Sequence, residues 1–100
     1  MLLRIVRMTF REDKTDDFLS VFNSNSTRIR NFPGCEYLKL MRDHHHTNIF
    51  VTYSKWRSQA DLDSYRDSEL FASVWKTTKS YFAEKPVAFS LEEYSGEILP

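Results

Sequence analysis

A four-stranded antiparallel sheet with its helices on one face, an α+β class, is predicted by three features of the sequence. Short runs rich in β-branched and aromatic residues alternate with amphipathic segments in the order strand, helix, strand, strand, helix pair, strand. The stretch from Ile49 to Phe82 contains a strand, a capped helical turn and a longer helix with one aromatic stripe. Aromatics make up 15% of the chain and glycine occurs only twice, which argues against disorder and for a core of large side chains.

Leu2 to Phe10 is the first expected strand. Leu3 and Ile5 fall on one face and Val6, Met8 and Phe10 on the other, so both faces are apolar and the strand is expected at the centre of the sheet. Arg4 and Arg7 fall on opposite faces and read as rim or strand-end residues. Arg11 to Lys14 is a polar turn, and Thr15 is the expected N-cap of the first helix, with Asp16 and Asp17 in its first turn where carboxylates suit the helix dipole. Phe18, Leu19, Phe22 and Ile29 form its apolar stripe. The weak helix formers Asn23-Ser24-Asn25-Ser26 suit a solvated face; bending, fraying and a polar cavity wall are alternatives. Pro33 disfavours helical geometry at Phe32, and Gly34 supplies the turn that follows.

Glu36 to Arg42 and Ile49 to Trp56 are expected to pair as a hairpin across the connection Asp43 to Thr47. Its three consecutive histidines, His44, His45 and His46, point alternately to opposite sides in an extended segment and cannot converge on one ion, so no metal site is expected. Ser58-Gln59-Ala60-Asp61 resembles a capping box with the shorter Asp in the reciprocal place, and Ser68 is the expected N-cap of the next helix. Leu70, Phe71, Val74, Trp75, Thr78, Tyr81 and Phe82 recur at helical spacing and put an aromatic stripe on one side. Val87 to Tyr94 is the last strand, and 94–100 a tail. The order is the ferredoxin-like β-α-β-β-α-β pattern.

Residues 1–100 make one domain, which buries about two-thirds of the surface of its unfolded chain. With 14 basic and 14 acidic residues, the chain lacks the electrostatic footprint of a nucleic-acid or membrane-surface binder. A single cysteine, Cys35, forms no internal disulfide, and the absence of an apolar leader leads to the expectation of a soluble cytoplasmic protein. Apolar residues on both sheet faces predict a homodimer closed sheet to sheet.

The segments RIVRMTF, NFPGC, FVTYSKW and SYRDSELFASVWKTTKSYFAEKP resemble the antibiotic biosynthesis monooxygenase family over essentially the whole chain. The resemblance implies a dimeric α+β barrel and, for function, cofactor-free oxygenation of phenolic, quinol or polycyclic aromatic substrates. In the anthrone-oxidising type a strand Asn, a Trp ending that strand and a helix Tyr line the pocket. Trp56 matches that Trp, Thr52 stands for the Asn, and Leu62 for the Tyr, with Tyr65 a turn further on. The haem-degrading type needs a first-strand Asn, a helix Trp and an iron-ligating His. Those places hold Arg7 or Met8, Tyr65 and Trp75, so haem degradation is not expected.

Under this resemblance Trp56 and Thr52 are the candidate catalytic residues. Tyr65, Phe71 and Trp75 would sandwich a small aromatic molecule with Trp56, and Thr52, Tyr53 or Arg7 would hydrogen-bond a phenolate. No bound cofactor is implied. A non-catalytic dimer that binds a small apolar ligand remains the alternative, since no nucleophile-base pair, acid pair or phosphate loop stands in the sequence.

Overall fold

In the computed structural model, which describes residues 1–94, the elements follow the expected order: β1 (Leu2–Thr9), α1 (Thr15–Arg30), β2 (Cys35–Arg42), β3 (Ile49–Trp56), α2 (Gln59–Arg66), α3 (Glu69–Lys79) and β4 (Val87–Glu92). The strands form one antiparallel sheet in the order β2-β3-β1-β4, with β1 inside it, which is the ferredoxin-like arrangement. The tail expected over 94–100 lies, apart from Tyr94, outside the described residues. Among the described residues no helix is long and apolar enough to cross a membrane.

The period of two sorts the sheet into two unlike faces. Leu2, Met8, Phe50 and Trp56 are buried under the helices. A register shift between Cys35 and Tyr37 brings Cys35 to that side as well, together with Leu38 and Leu40. On the opposite face Tyr37, Met41, Val87, Phe89 and Leu91 remain between 38% and 46% exposed. That face is apolar without a covering layer in the single chain.

Two rows across the helix-facing side set up the site. Leu40, Thr52, Val6 and Ala88 lie side by side on β2, β3, β1 and β4, and the next row is Leu38, Ser54, Arg4 and Ser90. One row is mostly apolar and its neighbour mostly polar.

Local chemistry explains the helix boundaries. Ser58 caps α2 by accepting from the Asp61 amide at 3.1 Å, and its hydroxyl donates to Asp61 Oδ2 at 3.1 Å. Asp61 turns its carboxylate to Arg57 Nε at 2.9 Å, because the short side chain serves the Ser58 hydroxyl and this guanidinium. Ser68 caps α3 through the Phe71 amide at 3.1 Å. Gly34 adopts φ 90, its carbonyl accepts from the Arg57 amide at 2.8 Å, and a Cβ there would have no room against Asp61.

Two expectations need correction, and one is narrowed. Thr15 is not a cap: the chain enters α1 through a 3-10 turn, Glu12–Lys14, and the Thr15 hydroxyl donates to the Glu12 carbonyl at 3.3 Å. The Asn23–Ser26 run stays helical with Asn23 and Ser24 exposed, in keeping with the solvated face, and Asn25 donates its side-chain amide to the Val21 carbonyl at 2.7 Å inside the helix. α3 stops at Lys79, so Tyr81 and Phe82 leave the helical stripe; Phe82 instead bridges to Phe10, just past the end of β1. The Arg11 amide bonds the Tyr81 carbonyl at 3.0 Å and the Ala83 amide the Thr9 carbonyl at 2.9 Å, tying this segment to the strand end.

Candidate functional site

Two aromatic clusters hold the helices to the sheet, and a cavity lies between them. Leu2, Cys35, Trp56 and Leu62 pack with Phe32, Leu38 and Tyr65 at one end, and Met8, Phe10, Phe18 and Phe50 with Phe22, Trp75 and Phe82 at the other. The gap has a volume of about 230 Å³. Val6, Thr52 and Ala88 contribute its floor, and Tyr65, Phe71 and Trp75 wall it from the helices. Arg66 and Ala88 are the exposed residues of its lining, so the cavity meets solvent on their side.

An arc of rings follows the wall. Trp56 stacks on Tyr65 with centroids 5.0 Å apart, Tyr65 meets Phe71 edge-on at 5.2 Å, and Phe71 stacks on Trp75 at 5.7 Å. Trp75 then meets Phe82 at 5.5 Å, which belongs to the other cluster. Such offset and edge contacts hold each ring in place, and Phe32 adds a further edge contact to Tyr65 at 5.3 Å. Trp56 is 1% exposed, and its indole Nε1 donates to Ser54 Oγ at 3.0 Å, so its orientation is fixed by both packing and a buried hydrogen bond.

Polar groups enter this wall at few points. The Tyr65 hydroxyl makes no hydrogen bond among the described residues, and burial, with a smaller contribution from Cys35, pushes its pKa up to about 12. It stays protonated at neutral pH and serves as a donor, not as a base. Thr52 and Thr78 bring hydroxyls to the lining. Arg4 also lines the cavity and donates from Nη1 to Ser90 Oγ at 3.1 Å; burial first, and then the charge of Arg66, lower its pKa. Among the lining residues there is no carboxylate, imidazole or amine.

The structure therefore brings Thr52, Trp56, Tyr65, Phe71 and Trp75 to one cavity, and it does not bring Tyr53 or Arg7 there. Tyr53 meets Tyr37 edge-on at 5.8 Å on the opposite face, with Lys55 Nζ over both rings, and Arg7 is exposed on that same face. Odd positions of β1 and β3 point away from the helices, and a side chain cannot reach through its own sheet. Arg4, Ser54 and Arg66 were not among the expected site residues. The signal for Arg4 and Ser54 was parity, shared with Val6 and with Thr52 and Trp56. For Arg66 it was the spacing of four from buried Leu62. The histidine loop lies elsewhere: Asp43 Oδ1 accepts from the amides of His45 and His46 at 2.8 and 2.9 Å and forms an exposed turn.

A family model described as antibiotic biosynthesis monooxygenase matches residues 1–77. Among solved structures, one described as an antibiotic biosynthesis monooxygenase superposes with a TM-score of 0.89 at 19% identity, covering 94% of this chain and 99% of its own. A protein from Mycobacterium tuberculosis gives 0.86 at 18% identity, with 95% and 96% covered. A conserved protein from Methanosarcina mazei Go1 gives 0.88 at 14% identity, with 94% of each chain covered. No curated protein matches the sequence significantly. At these identities the superpositions speak to the fold.

Proposed function

The chain belongs to the antibiotic biosynthesis monooxygenase family, and from that premise we propose that it is a cofactor-independent monooxygenase acting on a small phenol or quinol held between sheet and helices. The observation that carries the reading is the aromatic-walled cavity with Thr52, Trp56 and Tyr65 in its lining. Its volume of about 230 Å³ lies below the roughly 300 to 1,000 Å³ of drug-sized ligand sites, which favours a one- or two-ring substrate over a polycyclic one. The same size argues against haem, and no histidine lines the cavity to ligate iron.

In this proposal Trp56, held by Ser54, fixes the plane of the substrate ring, and Phe71, Trp75 and Tyr65 exclude water around it. The neutral Tyr65 phenol and the Thr52 hydroxyl donate to oxygen on the ring and stabilise it as negative charge develops. The ionised substrate is the reductant for dioxygen. Converting a phenol to a quinone at a ring C–H releases four electrons to dioxygen (phenol + O2 → quinone + H2O), so one oxygen atom enters the product and the other leaves as water. Trp56 and Thr52 are the proposed catalytic residues. The protomers are proposed to pair through the uncovered sheet face of Tyr37, Met41, Val87, Phe89 and Leu91, as a second copy would bury the same residues on both sides.

A second reading, a dimer that binds an aromatic ligand without turning it over, is favoured by the lack of any carboxylate, imidazole or amine among the lining residues. Aerobic oxygen uptake with a panel of benzoquinols, naphthoquinols and anthrones separates the two. Uptake above spontaneous oxidation for a one- or two-ring substrate, reduced in Trp56→Phe, supports the oxygenase. Tryptophan quenching by the same compounds with no uptake supports the binding module.

A further inference from the structure

Among the described residues, the polar end of the cavity holds two cations and no anion. Arg4 lies in the cross-sheet row with Ser54 and Ser90, and the Ser90 hydroxyl holds its guanidinium at 3.1 Å. Arg66 reaches the same lining from the last turn of α2, and its charge bears on Arg4. Among the described residues the ion pairs are Lys14 with Asp17 and Arg57 with Asp61, so neither arginine has a carboxylate within ion-pair distance. A cation in the last turn complements the dipole of α2, which accounts for a basic residue at position 66. It does not account for a second cation beside it, since like charges disfavour each other.

We infer that Arg4 and Arg66 form an anion clamp at the cavity mouth, and that the ligand is an aromatic carboxylic acid whose ring lies in the cavity against Tyr65, Phe71 and Trp75 while its carboxylate stays between the two guanidinium groups. The guanidinium fork matches the planar carboxylate. The cavity admits one or two rings, the arc of aromatic side chains stacks them, and the only exposed polar lining residue, Arg66, sits where the ring substituent would emerge. The inference rests on the reading of this cavity as the ligand site, and narrows that reading to acids; it does not depend on oxygen chemistry.

The test is binding of 2-naphthoate and its neutral counterpart 2-naphthamide, followed by tryptophan fluorescence and calorimetry on the intact protein. Naphthoate is expected to bind about tenfold or more tightly than the amide, the scale of a charged hydrogen-bonded contact. Arg66→Gln and Arg4→Gln are each expected to remove most of the preference for naphthoate, the acid losing far more affinity than the amide. Arg66→Lys, which keeps the charge and loses the fork, should fall between. Arg66 is exposed, so its variants are expected to fold as wild type, verified by thermal melting. Equal affinity for acid and amide overturns the clamp and leaves the cavity reading standing. A preference for the acid that survives both Gln substitutions also overturns it. No binding of either probe removes the cavity reading, and the clamp with it.

Discussion

The two ends of the layer between sheet and helices use the same kind of residue to opposite effect. Around Phe10, rings from α1, β3 and the segment after α3 converge on one centre: Phe18 stacks on it at 4.1 Å, Phe82 lies at 5.3 Å and Phe50 at 6.0 Å. Phe10 is 0% exposed, and that end is filled. Around Tyr65 three rings also gather, Trp56 at 5.0 Å, Phe71 at 5.2 Å and Phe32 at 5.3 Å, yet Tyr65, Phe71 and Trp75 are only half-buried and border the cavity. Aromatic content alone thus does not separate core from pocket. What separates them is burial: Phe10 and its neighbours Phe18 and Phe50 are at most 3% exposed, whereas Tyr65, Phe71 and Trp75 keep part of their surface open to the cavity.

The largest effect is expected where the rings converge. Phe10→Ala should destabilise the protein by about 3 to 5 kcal/mol in urea unfolding, the range for deleting a fully buried ring. Naphthoquinol or naphthoate binding, measured below the unfolding transition, should change little. Trp75→Ala breaks the comparison if it behaves like Phe10. Its ring is only partly buried and already faces a void; the expected loss is about 1 to 2 kcal/mol, with ligand quenching reduced far more than stability. A loss equal to that of Phe10→Ala, without any ligand effect, would place Trp75 in the core.

Smaller effects probe how the open end is held. Ser58 caps the helix that carries Leu62, Tyr65 and Arg66, so Ser58→Ala should lower stability by about 1 kcal/mol, seen as a shift in the urea midpoint at constant slope. The smallest signal is the titration of Tyr65. Its pKa, raised by burial to about 12, lies above the usual value of about 10 in the unfolded chain. The folded state therefore holds its proton longer, and the associated stability, complete below the unfolded value, is lost as pH rises towards the folded one. Ultraviolet titration should show one of the five tyrosines ionising late, and Tyr65→Phe should remove that phase. A late phase that persists in the variant assigns it to another ring.

Much of the fold was legible because its causes are local. The strand bounds of Ile49–Trp56, the Ser58 and Ser68 caps and the glycine turn at Gly34 each follow from neighbouring residues, and each stands in the structure. Thr15 was misread because a 3-10 turn before it leaves its hydroxyl beside the Glu12 carbonyl and away from the helical amides. At the site, Trp56, Thr52, Tyr65, Phe71 and Trp75 were foreseen and converge on one cavity. Tyr53 and Arg7 were named with them, yet strand alternation sends both to the other face.

The sequence by itself determined the order of elements, the Ser58 and Ser68 caps and the alternation of side chains along the strands, because propensity, capping and the periods of helix and strand act over a few residues. Only the tertiary structure decided that the rings of α2 and α3 form an arc, that Ser54, Arg4 and Ser90 from three strands share a row, and that Arg66 arrives beside Arg4. Those juxtapositions depend on strand register and on where a helix comes to rest over the sheet. Both are settled by packing between residues far apart in the chain, and no short-range pattern records the outcome.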